Sequence, residues 1–238
     1  MGLNEFLSKN KIVLEEPVLK FCQEGIEVMK KGIDPLHNND HVLAIIDNLD
    51  RFINENKEID RRHINFPVLL LAICWHDTWK SQRLSKNLVL FFYHFLWDGL
   101  GSERLFKKKA EKVSLDPKLV KEAGYAIKKH TRIHLLSRRT PESKILKDLD
   151  TLEVWSVKRI REAEKDAEER VDIGKVLLKT PKLYLRFMHI INDSAFYFQW
   201  SRRESQKRKK EYFEEANRLI NLYSQFLFEN KKPPFREG

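Results

Sequence analysis

Apolar residues recur along almost the whole chain with the three-to-four-residue spacing of an amphipathic helix. One clear stripe follows the segment DPLHNND and consists of Val42, Ile45, Ile46, Leu49, Phe52 and Ile53. Strand-like alternation is nearly absent, and asparagine, aspartate or proline precedes several helical segments as a start signal. The pattern predicts an all-α protein, and 238 residues suffice for one large domain or two small ones.

Charge and cysteine usage restrict the class of protein further. The formal net charge of +10 is compatible with nucleotides, nucleic acid or a membrane surface as partners, although a lysine-rich solubility surface produces the same balance. No apolar run reaches the roughly 18 residues of a transmembrane helix, and the N-terminus lacks a secretory signal pattern. Cys22 and Cys74 both stand among apolar residues, which argues against a disulfide framework. We therefore expect a cytoplasmic protein without a membrane partner.

A histidine and an aspartate stand side by side at the end of an apolar helical run, in FPVLLLAICWHD. Burial of His76 and Asp77 costs free energy unless something binds them. Three further clusters on separate predicted helices carry similar groups: His37 and His41, His130 and His134, and Asp148 and Asp150. Imidazole and carboxylate are ligands of divalent transition metals, and helical bundles build such sites from facing helices. A metal ion would satisfy the His76–Asp77 pair.

The ordered series of these groups resembles the HD-domain superfamily of metal-dependent phosphohydrolases. HNNDHVLAII is similar to the first motif of that family, whose ligand is the later histidine, here His41. LLLAICWHD is similar to the signature pair, and KILKDLDTLE to the last motif, in which the ligand aspartate directly precedes xL, here Asp150. The resemblance covers roughly residues 30–160. It implies a single-domain helical bundle of HD-domain type over residues 1–160, with an additional C-terminal helical segment, residues 161–238, packed on that core.

The resemblance implies that His41, His76, Asp77 and Asp150 hold one or two metal ions, with His76 and Asp77 as the catalytic pair. The mixed nitrogen and oxygen ligands favour manganese, iron, cobalt, nickel or zinc over calcium, and magnesium is also compatible. The implied reaction is hydrolysis of a phosphoester by a metal-activated water. Family substrates include nucleoside monophosphates, deoxynucleotides, alarmones and cyclic dinucleotides. A small phosphorylated substrate, most often a nucleotide, is therefore expected, while the choice between monoester and diester and the oligomeric state stay open.

Residues around the implied ligands have less definite roles. His130 is a ligand of a second metal, a phosphate contact or a core histidine, and Lys80 and Arg132 are candidate phosphate contacts because they flank the series. We expect His37 and Glu103 to support the ligands from behind, and Asp148 either to do the same or to face away from the site. Helical periodicity alone does not choose between Asp148 and Asp150. Some nucleotide-cleaving family members carry an acidic residue three or four positions after the His-Asp pair, where this chain has Lys80 and Ser81.

Two other functional hypotheses compete with the phosphohydrolase hypothesis. One is a basic nucleotide- or nucleic-acid-binding protein that keeps a metal site without efficient turnover, and the other is a regulatory module that binds a nucleotide without hydrolysing it. The basic stretch SRRESQKRKK, residues 201–210, is interpreted as a solvated helix face rather than a nucleic-acid contact. The aromatic stretch SAFYFQW, residues 194–200, is interpreted as core. His94 and His189 are expected to be structural, and His63 exposed.

Overall fold

The computed structural model describes residues 1–34, 36–82, 88–131, 138–162 and 196–229. Its regular elements are α-helices and one short 3-10 helix, Arg61–His63, and the described residues contain no strand. This confirms the all-α prediction. The helices are α1 (Leu3–Lys9), α2 (Glu16–Lys30), α3 (Asn39–Glu55), α4 (Phe66–Trp75), α5 (Thr78–Ser81), α6 (Leu88–Ala110), α7 (Pro117–Lys129), α8 (Pro141–Glu153) and α9 (Gln199–Glu229).

Side-chain caps start the helices that carry the candidate site. The Asn38 side chain accepts a hydrogen bond from the backbone N–H of His41 at the start of α3, and Asn65 does the same for the first turn of α4. Asp116 and Thr140 cap α7 and α8, each followed by a proline in the first helical turn. These side chains satisfy N–H groups that have no partner within the helix. The start of each helix is therefore set by residues within one turn of it.

Helix α4 occupies the centre of the bundle. All eight residues from Val68 to Trp75 are buried, and the helix packs against α2, α7 and α8. Full burial of an aliphatic side chain contributes about 1.5–3 kcal/mol, so this helix is a major source of stability. Trp75 stacks on Phe21 of α2 with ring centroids 4.6 Å apart. His76 directly follows this buried helix, so the His-Asp pair lies in the interior of the molecule.

The C-terminal helix α9 packs on α8 and α3. Three aromatic residues of the stretch 194–200 are buried as predicted, namely Phe196, Phe198 and Trp200, whereas Tyr197 is exposed. Phe198 and Trp200 contact Phe52 of α3 edge to face. Residues 163–195 and 230–238 lie outside the described part of the chain, and His189 is among them. The division of the chain near residue 160 stays a prediction.

The interpretation of residues 201–210 as a solvated face is wrong for two of the basic residues. Arg208 donates hydrogen bonds to Asn48 of α3 at 2.5 Å and to Glu153 of α8 at 3.2 Å. Lys209 is buried, and its amine lies 4.7 Å from the ring centre of Trp155. The helix rotates by about 100° per residue, so a basic run reaches its inner as well as its outer face.

Within the described ranges, no helix is both long and apolar enough to cross a membrane. The exposed position of His63 on the 3-10 helix agrees with the sequence interpretation. His94 lies in α6, but its side chain is outside the described part of the structure.

Candidate metal centre

The four implied ligands come from three long helices and the turn between α4 and α5. His41 lies in the first turn of α3, and Asp150 lies in α8. His76 ends α4 with helical dihedral angles, whereas Asp77 leaves them (φ −108°, ψ 11°) before α5 begins. Adjacent residues of one regular helix point about 100° apart. The break between α4 and α5 lets both side chains of the pair face the same point.

The ligand atoms of these four residues form a buried group within which all atoms lie inside 4.8 Å of one another. The Nε2 atom of His41 lies 3.2 Å from Nε2 of His76, 3.4 Å from Oδ2 of Asp77 and 3.3 Å from Oδ1 of Asp150. Two imidazoles and two carboxylates are a donor set that divalent transition metals accept. The group could hold a metal ion, and the residues fit that use in both chemistry and position.

A second group shares Asp77 and adds two residues from α6 and the end of α7. The Nε2 atom of His130 lies 3.2 Å from Oδ1 of Asp77 and 3.5 Å from Oδ2 of Asp98. These three residues could also hold an ion. Asp98 was missed by the sequence reasoning, although a lone acidic residue inside the apolar stretch LFFYHFLWDGL carries the same signal that singled out Asp77.

In the second group, a proton on His130 balances the negative charge of the neighbouring carboxylates. Burial disfavours a charged imidazole, but hydrogen bonds to Asp77 and Asp98 outweigh it and raise the pKa of His130 to about 10. Burial, together with the neighbouring charge of Asp77, raises the pKa of Asp98 to about 6. Burial also opposes ionisation of Asp77, but the surrounding histidines, with His76 and His37 first, hold its pKa well below the usual range. A cation that entered this group would displace the proton from His130.

Backbone carbonyls orient the rings of His76 and His130. The Nδ1 atom of His76 donates to the carbonyl oxygen of Ile73 at 2.8 Å, and that of His130 donates to the carbonyl oxygen of Ile127 at 2.6 Å. A carbonyl can only accept, so Nδ1 carries a proton in both rings. Nε2 of each ring is thereby directed at the carboxylates. This is the arrangement that metal-ligating histidines use to fix their orientation.

His41 has a different partner on its outer nitrogen. Arg159, in the helical residues 157–162 after α8, places Nη1 2.7 Å from Nδ1 of His41 and Nη2 2.8 Å from Nε2 of His37. The far nitrogen of His37 lies 2.9 Å from Oδ2 of Asp34. Sequence reasoning missed Arg159, because nothing local separates it from the basic residues beside it, Lys158 and Arg161. Burial and the guanidinium lower the pKa of His41, but hydrogen bonds to Asp150 and Asp77 leave it raised.

Other predicted residues fall at varied distances from the two groups. His37 borders the first group, with Nε2 3.9 Å from Oδ2 of Asp77, and Lys80 borders the second, with Nζ 3.9 Å from Oδ2 of Asp98. Glu103 instead pairs with Lys107 at 2.7 Å within α6 and packs against Gly124 of α7. The expected support of the ligands by Glu103 is therefore replaced by a helix–helix contact. Arg132 and His134 lie outside the described residues.

Asp148 faces away from the first group, which is one of its two expected orientations. Its carboxylate accepts hydrogen bonds from the backbone N–H groups of Tyr197 at 2.9 Å and Phe198 at 3.0 Å. Residues two positions apart on a helix point about 200° apart, so Asp150 faces the candidate metal group while Asp148 faces the segment before α9. Asp148 thus anchors the C-terminal helix on α8.

Comparisons with protein-family models, with curated proteins and with solved structures found no match to this chain.

Proposed function

We propose that this protein is a metal-dependent phosphohydrolase of HD-domain type that cleaves a small phosphoester, with a nucleotide as the expected substrate. One observation carries the proposal: the four residues to which the family resemblance assigns the metal come from three segments far apart in the chain, yet their ligand atoms converge in one buried group. Isolated buried carboxylates and imidazoles are costly, and a bound cation offsets that cost. The charge of the whole chain supports an anionic substrate.

The proposed role of each residue follows from the position of its side chain. His41, His76, Asp77 and Asp150 would hold the ion, and the carbonyl of Ile73 keeps the ring of His76 in its ligating orientation. When bound, the ion would supply an activated water and polarise the phosphoryl group. Asp77 is the one residue shared by the two groups, so it would link the first ion to a second.

Cationic side chains border the group where substrate charge would develop. Lys80 is largely buried beside Asp98, which holds its amine near the second group. Arg159 contacts two histidines of the first group and its border, His41 and His37. Fixed cations next to a hydrolytic centre stabilise the negative charge of a phosphoryl transition state. These two residues place positive charge next to both candidate groups.

The test is a turnover screen of the purified full chain, reconstituted separately with manganese, cobalt, nickel, zinc and magnesium. Substrates are nucleoside mono- and triphosphates, cyclic dinucleotides and a chromogenic phosphomonoester. We expect release of phosphate or of a nucleoside monophosphate from at least one substrate. His76→Ala and Asp77→Asn should abolish that release, whereas the matched control His63→Ala, on the exposed 3-10 helix, should retain it.

The competing binding functions predict a different outcome. A protein that binds metal and is stabilised against heating by nucleotides, but turns over no substrate with any metal, would be a nucleotide-binding module. Steep salt dependence of RNA or DNA binding without turnover would favour the nucleic-acid-binding alternative. Absence of metal by elemental analysis after reconstitution would refute the metal centre itself.

A further inference from the structure

The hydrogen bonds around His41 form a chain that constrains where its proton lies. At one end, Nε2 of His41 lies 3.4 Å from Oδ2 of Asp77 and 3.3 Å from Oδ1 of Asp150. Carboxylate oxygens only accept, so Nε2 of His41 is the donor. The proton of His41 lies on Nε2, inside the group of candidate ligands.

The other end of the chain requires the same tautomer independently. A guanidinium has five donors and no acceptor, so both nitrogens that face Arg159 must accept. Nδ1 of His41 accepts at 2.7 Å, and Nε2 of His37 accepts at 2.8 Å. Nδ1 of His37 is left to donate to Asp34 at 2.9 Å. The carboxylates of Asp77 and Asp150 at one end and the guanidinium of Arg159 at the other thus both place the proton of neutral His41 on Nε2.

This tautomer is incompatible with ligation of a metal by His41. A ligating nitrogen must present its lone pair, and in a neutral imidazole the proton then moves to the other nitrogen. That nitrogen is Nδ1, which faces the guanidinium. Two donors would then oppose each other at hydrogen-bonding distance. The contact between Arg159 and His41 and the ligation of an ion by His41 therefore exclude each other.

We propose that Arg159 competes with the metal for His41: it holds the ring in the non-ligating tautomer and, once an ion displaces it, presents the released arm of its guanidinium to an anionic group of the substrate. This rests on the proposed phosphohydrolase function. The second arm keeps its acceptor on His37, so the side chain stays beside the site after release. A guanidinium binds phosphate with paired, charge-assisted hydrogen bonds, which suits it to this second role.

The first test reads the tautomer in the wild-type chain and needs no substitution. Long-range ¹⁵N–¹H spectra of the histidine rings distinguish a proton on Nε2 from one on Nδ1. We expect Nε2–H for His41 in metal-free protein and Nδ1–H after addition of Zn²⁺, which is diamagnetic. Nδ1–H in the metal-free protein overturns the proposal while leaving the phosphohydrolase function intact.

The second test measures binding rather than activity, with Arg159→Met and the matched control Arg161→Met. Arg161 lies in the same helical stretch, but its side chain is 62% exposed and pairs with Glu215. A hydrogen bond that involves a charged group contributes about 1.5–3 kcal/mol, which corresponds to about tenfold or more in an equilibrium constant. We therefore expect Arg159→Met to bind Zn²⁺ about tenfold more tightly, and its zinc-loaded form to bind inorganic phosphate about tenfold more weakly.

The outcomes distinguish a failure of the competition between Arg159 and the metal from a failure of the proposed function. Unchanged or weaker Zn²⁺ binding by Arg159→Met, relative to wild type, overturns the competition. Equal phosphate binding by wild type and Arg159→Met, or the same changes in Arg161→Met, overturns the anion contact. No Zn²⁺ binding by any of the three proteins removes the proposed function, and the competition with it.

Discussion

Exchanging the two aspartates of KILKDLDTLE for asparagine, one at a time, should separate metal binding from stability. Asp150 lies in the candidate metal group, 3.3 Å from His41. Asp148 lies on the opposite side of α8 and accepts backbone hydrogen bonds from the segment that leads into α9. Asparagine has the shape of aspartate without its charge, so each variant tests the role of one carboxylate with little change in packing.

Asp150→Asn should weaken metal binding without a comparable loss of stability in the metal-free protein. Loss of a group that merely supports a metal ligand costs up to about 100-fold in affinity, so we expect at least that factor for a direct ligand. An ion at 100 times its dissociation constant stabilises the folded state by about 2.7 kcal/mol, and a 100-fold weaker site leaves about 0.4 kcal/mol. For a chain of this length, the metal-induced rise in Tm then falls from about 5–10 °C to about 1 °C.

Asp148→Asn should show the reverse behaviour. The carboxylate accepts from two backbone N–H groups, at 2.9–3.0 Å. The amide of asparagine keeps one acceptor oxygen and brings an NH₂ group against a backbone donor. A hydrogen bond to a charged acceptor contributes about 1.5–3 kcal/mol, so we expect a loss of about 2–3 kcal/mol in the free energy of unfolding. The metal-induced rise in Tm should equal that of the wild type.

Thermal unfolding followed by circular dichroism, with and without Mn²⁺, measures both quantities on the same samples. Titration calorimetry with Mn²⁺ gives the affinity directly. If Asp148→Asn is the weaker metal binder, the assignment of the ligand to Asp150 is reversed. If both variants keep wild-type affinity, the carboxylates of α8 do not ligate and the first metal group is wrong.

Three further sets of substitutions test buried contacts, helix packing and ion pairs. Arg208→Ala should lower the free energy of unfolding by about 2 kcal/mol, because it leaves a buried glutamate without its cation, whereas Lys210→Ala on the exposed face should change it by less than about 0.5 kcal/mol. Gly101→Ala should cost about 1–3 kcal/mol, since its Cβ would lie 2.2 Å from the indole of Trp79 in α5. At Gly124 the tightest contact of an added Cβ is the flexible end of Lys107 at 3.1 Å, so Gly124→Ala should gain up to about 1 kcal/mol in helix propensity. Glu215→Gln should lower the free energy of unfolding by about 1 kcal/mol near neutral pH, a value that already allows for solvent screening. This difference from wild type should vanish as the pH falls from 4.5 to about 2.

Urea unfolding followed by tryptophan fluorescence measures all three. Equal effects of the two α9 variants would show that Arg208 makes no useful contact, and a neutral Gly101→Ala would show that α5 can move away from α6. For Glu215, ion pairs with Arg218 and Arg161 hold its pKa in the folded state below the unfolded value. The unfolded state therefore binds the proton more tightly, and stability is lost as the pH decreases. A difference that grows with acidity would contradict this sign.

The helical class, the starts of several helices and the residue types of the candidate metal group follow from local sequence. Helix periodicity and capping depend on residues within a few positions of one another, so they can be read without knowledge of the fold. The caps Asn38, Asn65, Asp116 and Thr140 are examples. Resemblance, rather than periodicity, selected Asp150 over Asp148, because an apolar neighbour lies on either face of α8.

Which polar groups meet across the bundle depends instead on how the helices pack. Asp98 joins Asp77 and His130 because α6 and α7 pack side by side next to the turn after α4. Arg159 reaches His41 and His37 although more than a hundred positions separate them in the chain. In the same way, Arg208 is directed inward by the rotation of α9. A charged side chain has the same local pattern whether it meets water or a buried partner, so its role depends on the helix that packs against it.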